Sequence, residues 1–231
     1  FDKCSYRKER IRVNYKNIQG LKFPDDYFIK FFFKNELHLR EDLTFLELGC
    51  SNGNNLMLGS SYNHSVIGVD LDEKLIEYAE SNFTSSKFEK SFKFYNMDMR
   101  EFCYNYKHIN AEILILSNSS YYVPKVDFIR LLRNIKMNSI INSESLLFLR
   151  FRSLEDYRNG RGVQISENSY ILDTQDENGV FCQFYDTKIM IKILIDELGL
   201  RDFHTLYVSY ENIQNNIKVK NCDVIVWGII N

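Results

Sequence analysis

An acidic residue and two glycines stand close together in the segment from residue 44 to residue 58. Glu47 lies in a short apolar run whose composition suits a strand that is buried on both faces, and Gly49 and Gly53 follow it. Glycine lets the backbone turn sharply and approach a ligand closely. A helical segment begins at Leu56. The spacing therefore predicts a strand, a turn and a helix that form the floor of a cofactor site.

This segment resembles the Glu/Asp-x-Gly-x-Gly-x-Gly turn of class I S-adenosylmethionine-dependent methyltransferases. Glu47, Gly49 and Gly53 match three of its positions, and Ser51 stands in place of the middle glycine. The resemblance implies an enzyme of the small-molecule type that uses S-adenosyl-L-methionine and releases S-adenosyl-L-homocysteine. It also implies that the cofactor contacts the turn residues Glu47, Gly49, Cys50, Ser51 and Gly53.

Two other interpretations of the turn remain open at this point. A nicotinamide-binding fold would carry Gly-x-Gly-x-x-Gly, which places a pyrophosphate on a helix N-terminus. The corresponding residues here are Gly49, Ser51 and Asn54, so two of the three glycines are missing. The other interpretation is an ordinary strand-to-helix turn. The strand ends that follow along the chain favour the methyltransferase.

Acidic residues follow the next two predicted strands. The run from Ser65 to Val69 ends at Asp70, and an acid at this place in a doubly wound fold can accept hydrogen bonds from ribose hydroxyls. The alternative is that Asp70 only caps a helix, as we expect of Asp72. The resemblance implies further cofactor contacts, in which Leu71 packs on the adenine, Asp98 accepts from its exocyclic amine and the Met99 backbone meets the ring edge.

Small polar and aromatic residues follow the fourth predicted strand, which ends at Leu116. The resemblance places Ser117 beside the methionine part of the cofactor and Tyr121 against the acceptor, so Tyr121 is the candidate catalytic residue and Tyr122 a candidate substrate contact. The sequence Asn-Ser-Ser-Tyr at 118–121 also resembles the Asn-Pro-Pro-Tyr of methyltransferases that act on nucleic-acid bases. Both prolines are absent here, which makes base methylation the minor alternative.

Arginines interrupt the fifth predicted strand. Arg150 and Arg152 are two residues apart, so they should point to the same side of a strand, at the carboxyl end where ligands bind. Arginine suits bidentate recognition of phosphate or carboxylate. We therefore expect Arg150, Arg152 and Arg158 to bind an anionic acceptor, for example a phosphorylated, phosphoramidate-bearing, carboxylated or nucleotide-linked molecule such as a surface-polysaccharide precursor. The alternative is that Arg150 and Arg152 pair with Glu155, Asp156 or Asp173.

Alternating strands and helices predict a single doubly wound, Rossmann-like α/β domain over residues 1–231. The resemblance implies seven strands, mostly parallel, with the last one antiparallel. Residues 1–40 should form an N-terminal arm and a helix. Residues 153–185 are too long for a plain connection, and we expect a hairpin insertion there that covers the acceptor as a lid or is merely decorative.

The composition limits the kinds of partner and the location that we expect. A net charge of -2 and a pI near 6.1 give no general attraction to nucleic acid. The five cysteines have no metal-ligand spacing and no His-rich or carboxylate cluster occurs, so we expect no metal. No apolar run is long enough to span a bilayer, and reduced thiols suggest a cytoplasmic location. The sequence predicts O-methylation of a small molecule, with base N-methylation or a catalytically silent cofactor-binding protein as the alternatives.

Overall fold

The computed structural model describes residues 16–214 and 216–231. Ten strands and six α-helices occur in these ranges. The strands are β1 (Thr44–Leu48), β2 (Ser65–Asp70), β3 (Phe92–Asn96), β4 (Ala111–Ser117), β5 (Ile141–Arg152), β6 (Val163–Ser166), β7 (Ser169–Ile171), β8 (Phe181–Gln183), β9 (Arg201–Gln214) and β10 (Ile217–Ile230). The helices are α1 (Asp26–Lys34), α2 (Asn54–Ser61), α3 (Glu73–Ser86), α4 (Met99–Asn105), α5 (Lys125–Met137) and α6 (Thr187–Leu198).

The main sheet has seven strands in the order β3-β2-β1-β4-β5-β10-β9. β1 runs parallel to β2 and β4, β2 to β3, and β4 to β5, whereas β10 is antiparallel to both of its neighbours. The predicted mostly parallel sheet with an antiparallel last strand is therefore confirmed. Because the first five strands are parallel, their carboxyl ends lie along one edge of the sheet, and this edge carries the candidate site.

Apolar side chains from alternate strand positions enter two separate layers. Leu46, Leu114 and Leu149 pack with α4, α5 and α6 on one face of the sheet. Phe45, Ile115 and Phe148 pack with α1, α2 and α3 on the other face. Both faces of the central strands are thus buried, which explains why these strands read as continuous apolar runs in the sequence.

Helix α1 contributes aromatic rings to the layer that contains Phe45, Ile115 and Phe148. Asp25 caps its first turn by accepting hydrogen bonds from the backbone N–H groups of Tyr27 and Phe28. The ring centroids of Phe28 and Phe31 each lie 5.4 Å from that of Phe148 on β5. Helix α1 is therefore bound to β5 through aromatic contacts.

The insertion after β5 forms a small antiparallel sheet of its own. β7 and β8 pair as the hairpin that the sequence predicted, with Ser169 opposite Gln183. β6 adds a third strand on the outer side of β7, and this strand was not predicted. All four residues of β6 are exposed, so the segment lacks the alternation of buried and exposed positions that identifies a strand from sequence.

The last two strands are longer than the apolar runs at 203–208 and 224–230, from which the sequence predicts them. The end of β5 at Arg152 lies opposite Asp223 of β10. The residues of β10 before Asp223 therefore pair with β9 alone and extend as a two-stranded ribbon past the carboxyl end of β5. A mostly polar ribbon outside the core leaves no hydrophobic signal in the sequence.

We expect Phe148→Ala to lower the free energy of unfolding by about 3–5 kcal/mol, because it empties the ring contacts between β5 and α1. Urea unfolding measures this change. Ile213→Ala on the exposed part of β9 is the control and should stay within about 0.5 kcal/mol of the parent protein. A loss below about 1 kcal/mol for Phe148→Ala would contradict the packing described here.

Candidate functional site

The turn after β1 meets the loop after β4 at close range. Gly49 has a φ of +81°, in the left-handed region that glycine tolerates best. A Cβ at this position would lie 2.4 Å from the Cβ of Ser119. Ser119 Oγ also donates a hydrogen bond of 2.6 Å to the carbonyl oxygen of Leu48. Glycine is therefore required where the ends of the two central strands join.

Asp70 ends β2 directly beside this turn. The backbone N–H of Ser51 donates a 2.7 Å hydrogen bond to Asp70 Oδ2, and the N–H of Asp72 donates one of 3.0 Å to Oδ1. Asp72 itself caps α3 by accepting from Leu75. Asp70 thus does not cap the helix with its side chain. Its carboxylate is positioned by the turn and stays half-buried at the edge of the sheet.

Glu47 lies in the core below the turn. Its Oε1 accepts a 2.7 Å hydrogen bond from the side-chain amide of Asn55, and its Oε2 is buried and has no hydrogen-bond partner within the described residues. Burial, followed by the negative charges of Asp70 and Asp25, raises the pKa of Glu47 to about 8 although the Asn55 amide opposes this shift. A proton or an incoming cation would relieve the cost of this buried carboxylate.

Three asparagines at the end of the turn and the start of α2 bind the backbone of the N-terminal segment. Asn52 donates to the carbonyl oxygens of Gln19 and Leu21 and accepts from the N–H of Leu21. Asn54 donates to the carbonyl oxygen of Phe23, and Asn55 accepts from the N–H of Asp25. We call residues 17–25 the N-terminal strap. The expected arm before residue 16 lies outside the described residues.

Sequence reasoning did not identify these asparagines as structural anchors. The signal was present, because three asparagines surround Gly53 in a segment between two apolar runs. A buried primary amide needs several hydrogen-bond partners. Such partners are most readily supplied by the backbone of another segment, so the composition of the turn indicated a covering strand or loop.

Other predicted cofactor residues of the turn have structural roles. Cys50 is buried, its N–H donates to the carbonyl oxygen of Val69, and its own carbonyl oxygen accepts from Gly53. A Cβ on Gly53 would lie 2.9 Å from the ring of Phe83, so it would enter the packing against α3. Cys50 and Gly53 therefore shape the turn from within.

The predicted adenine contacts differ in their exposure and in whether their side chains already have partners. Leu71 is 72% exposed and lies next to Asp70 at the sheet edge. Asp98 caps α4 and binds Arg100 through its side chain, with Nε–Oδ1 at 2.9 Å. The hydrogen bonds from Arg100 hold the pKa of Asp98 below its ordinary value despite partial burial. Met99 is half-buried at the start of the same helix.

The end of β4 and the residues after it form the side of the candidate site opposite the turn after β1. Ser117 is half-buried at the end of the strand. Tyr121 is only 4% exposed, and burial raises the pKa of its hydroxyl well above the ordinary value. Its ring lies under the guanidinium of Arg152, 4.2 Å from Cζ to the ring centroid. Tyr121 is thus placed to support Arg152, whereas the Tyr122 hydroxyl reaches Glu177 at 2.7 Å.

Arg150 and Arg152 do not form the joint clamp that their spacing predicted. Arg150 pairs with Asp25 of the strap at 2.6 Å and with Asp223 of β10 at 2.5 Å. Arg152 is the last residue of β5, so its long side chain reaches over the strand end to Cys182 and Glu177 in the insertion. None of the three acids expected as alternative partners of these two arginines binds either of them.

Arg158 joins Arg152 instead. Its Nη1 lies 3.1 Å from Asp156, its Nη2 3.0 Å from Asp176 and its Nε 2.9 Å from Glu177. Two guanidinium groups and the Tyr122 hydroxyl therefore surround the carboxylate of Glu177. This cluster lies where the insertion covers the ends of β4 and β5. We call Arg152, Arg158 and Tyr122 the guanidinium cluster.

The described residues contain no group of three or more His, Cys, Asp or Glu side chains that could hold a metal ion. The four cysteines in this part of the chain, Cys50, Cys103, Cys182 and Cys222, are buried free thiols. None of the helices described has the length and apolar composition needed to cross a membrane.

Comparison with known proteins locates a methyltransferase domain in this chain. A family model described as a methyltransferase domain matches residues 45–137, which span the strand ends from β1 to β4. No curated protein matches the sequence.

Solved structures share the fold of this methyltransferase at low sequence identity. A SAM-dependent methyltransferase from Methanosarcina mazei is 17% identical with a TM-score of 0.63, and the match covers 84% of this chain and 96% of that one. The YcgJ protein from Bacillus subtilis is 12% identical with a TM-score of 0.63, over 89% and 98%. A SAM dependent methyltransferase from Archaeoglobus fulgidus is 14% identical with a TM-score of 0.59, over 89% and 100%.

The sheet edge fits S-adenosyl-L-methionine chemically. The carboxylate of Asp70 suits the two hydroxyls of a ribose, and the exposed Leu71 beside it suits the face of an adenine ring. Glu47 below the turn has a buried side-chain oxygen without a hydrogen-bond partner among the described residues. These features are independent of the family match and agree with the cofactor of this enzyme class.

The buried Glu47 predicts a pH dependence of stability. Because its folded pKa, about 8, lies above the ordinary 4.5, the native state keeps a proton that the unfolded chain releases. The contribution of Glu47 is fully present below the unfolded pKa and is lost as the pH rises toward 8. Between the ordinary pKa of 4.5 and the folded pKa of about 8, Glu47 should lower the free energy of unfolding by on the order of 1 kcal/mol per pH unit as the pH rises. We expect Glu47→Gln to lack this decline.

Urea unfolding of the ligand-free protein at a series of pH values measures this difference. The glutamine keeps an oxygen for Asn55 and cannot ionise. Glu167→Gln, at an exposed position of the insertion, is the control and should follow the parent protein. Parallel stability curves for the parent and Glu47→Gln would show that Glu47 titrates normally.

Proposed function

We propose that this methyltransferase transfers a methyl group to an oxygen atom of a small anionic acceptor. The acceptor is phosphorylated, phosphoramidate-bearing, carboxylated or nucleotide-linked. The observation that supports this proposal is the guanidinium cluster, in which Arg152 and Arg158 hold the carboxylate of Glu177 at the carboxyl ends of β4 and β5 beneath the insertion. Arginine pairs are suited to oxyanions because their N–H groups are arranged as a rigid fork.

We assign the cofactor contacts to residues at the carboxyl edge of the sheet. In this proposal Asp70 accepts from the ribose hydroxyls and Leu71 packs on the adenine. The turn at Gly49 and Ser51 supports the methionine part, with Glu47 below it. Ser117 forms the opposite wall. Asp98 is the weakest of the predicted contacts, since its carboxylate already binds Arg100.

The bound cofactor supplies a methyl group activated by a positively charged sulfur. In the transfer the bond from carbon to sulfur breaks as the bond from carbon to the acceptor oxygen forms, and the sulfur becomes a neutral thioether. The protein contributes mainly alignment of the two reactants. A hydroxyl acceptor gives up its proton to solvent as the new bond forms, whereas an oxygen that is already ionised needs no general base.

A small acceptor is favoured over a nucleic acid by the surroundings of the arginines. Arg150 is fully engaged by Asp25 and Asp223, and Arg152 and Arg158 face carboxylates of the insertion. A phosphate backbone binds to exposed, unpaired cations and releases counterions. The net charge of -2 gives no general attraction to nucleic acid.

Asp70→Asn should weaken binding of S-adenosylhomocysteine roughly ten-fold to a hundred-fold, because a hydrogen bond to a charged group contributes about 1.5–3 kcal/mol. Isothermal titration calorimetry measures the change. Asp72→Asn is the matched control, since it removes the neighbouring charge and leaves a residue that can still cap α3. Equal losses in both variants would contradict a specific ribose contact by Asp70.

The acceptor class is tested with a panel of small molecules and labelled S-adenosyl-L-methionine. We expect transfer to phosphorylated or carboxylated sugars and nucleotides, and little transfer to the same sugars without the anionic group. Rapid methylation of RNA or DNA bases would replace this proposal by nucleic-acid modification. Binding of the cofactor without transfer to any member of a broad panel would favour the catalytically silent alternative.

A further inference from the structure

We infer that Glu177 occupies a binding site for a phosphate group, and that the acceptor's phosphate displaces this side chain when it binds. The inference rests on the proposed function, because it locates the anionic group of the acceptor. The loop of residues 173–180 between β7 and β8 would then act as a latch that opens on acceptor binding.

The carboxylate of Glu177 is bound as a ligand would be. Its Oε1 accepts 2.7 Å hydrogen bonds from Arg152 Nη2 and from the Tyr122 hydroxyl, and its Oε2 accepts one of 2.7 Å from Arg152 Nη1. Such bidentate contact with a guanidinium is typical of carboxylate and phosphate recognition. Although burial alone would raise the pKa of Glu177, these contacts hold it below its ordinary value.

The donors are positioned without help from Glu177. Arg152 stacks on the ring of Tyr121, with 4.2 Å between Cζ and the ring centroid. Arg158 is held by Asp156 at 3.1 Å and by the side-chain oxygen of Asn221 at 3.2 Å. Asp156 is fixed in turn by the backbone N–H of Cys222. The site would therefore keep its shape if Glu177 left, and a preorganised site binds a ligand at a lower entropy cost.

Glu177 lies on a loop that is fastened mainly by its own carboxylate and by Asp176, which pairs with Arg158 at 3.0 Å. No residue from 173 to 180 is buried, so the loop contributes little to the core. Its backbone is held by a few hydrogen bonds, including Gly179 N–H to the carbonyl oxygen of Leu172. Segments with few buried apolar contacts open at low free energy. The carboxylate of Glu177 would therefore leave the cluster, whereas the arginines would stay in place.

One donor in the site is left without a hydrogen bond. Arg158 Nε is buried and lies 2.9 Å from Glu177 Oε2, but the geometry is not that of a hydrogen bond and no other described atom accepts from it. A carboxylate has two oxygens in one plane, whereas a phosphate presents oxygens in three directions. A phosphate could therefore satisfy Arg152, Tyr122 and Arg158 Nε together, which favours phosphate over carboxylate as the natural occupant.

The site lies next to the expected reaction centre. Tyr122 belongs to the segment that follows β4 and Ser117, and Arg152 ends the neighbouring strand β5. A phosphate in the guanidinium cluster would place the rest of the acceptor toward the cofactor edge. Opening of the loop would admit the acceptor, and in its absence Glu177 would keep the site closed.

The test is calorimetric titration of inorganic phosphate into the protein saturated with S-adenosylhomocysteine. We expect Glu177→Gln to bind phosphate roughly ten-fold or more tightly than the parent, because the competing charge is gone. Glu167→Gln, an exposed glutamate of the same insertion, is the matched control and should bind like the parent. Adding Arg152→Met to Glu177→Gln should abolish the gain.

Amide hydrogen exchange of the parent protein provides a second measurement if Glu177→Gln does not fold. Saturating phosphate should speed exchange in residues 173–180 and leave residues 163–171 unchanged. Equal phosphate affinity in the parent and a folded Glu177→Gln, or unchanged exchange of the loop at saturating phosphate, would overturn the inference. Failure to bind S-adenosylhomocysteine would instead overturn the proposed function.

Discussion

A buried chain of polar contacts connects the cofactor turn to the last strand of the sheet. Glu47 accepts from Asn55, Asn55 accepts from the backbone of Asp25, and the side chain of Asp25 binds Arg150. Arg150 then binds Asp223 on β10. Every link lies in a region of low exposure, where removing one partner leaves the other unsatisfied and typically costs about 3–5 kcal/mol for an ion pair. The strap, α1 and the turn are therefore held as one unit.

This series of polar contacts explains why Arg150, one of the two arginines expected to bind the acceptor, has a structural role. Arg150 lies between two carboxylates, which raise its pKa although burial opposes them, so its charge is already neutralised. Arg152 lies at the free end of β5 and its partner comes from a loop. The two residues are close in sequence but differ in what surrounds them. Only Arg152 retains a partner that could be exchanged for a ligand.

The sequence predicted those parts of the site whose residues are neighbours along the chain. Gly49, Asp70 and Ser117 were predicted because each lies at the end of an apolar run that becomes a parallel strand. The contact between Arg150 and Asp25 joins residues 125 positions apart, and no local pattern records it. The same holds for Glu177, whose role depends on how the insertion folds back over β5. Long-range polar contacts depend on tertiary packing, which hydrophobic periodicity does not encode.

We propose that the edge formed by β1, β2 and β4 binds S-adenosyl-L-methionine, with the acceptor beneath the insertion. The most direct measurement is a crystal structure of the complex with S-adenosylhomocysteine. The account predicts ribose hydroxyls within hydrogen-bonding distance of Asp70, adenine against Leu71, and the sulfur directed toward Ser117 and the guanidinium cluster. A ligand bound away from Asp70, or with its sulfur directed away from the insertion, would contradict it.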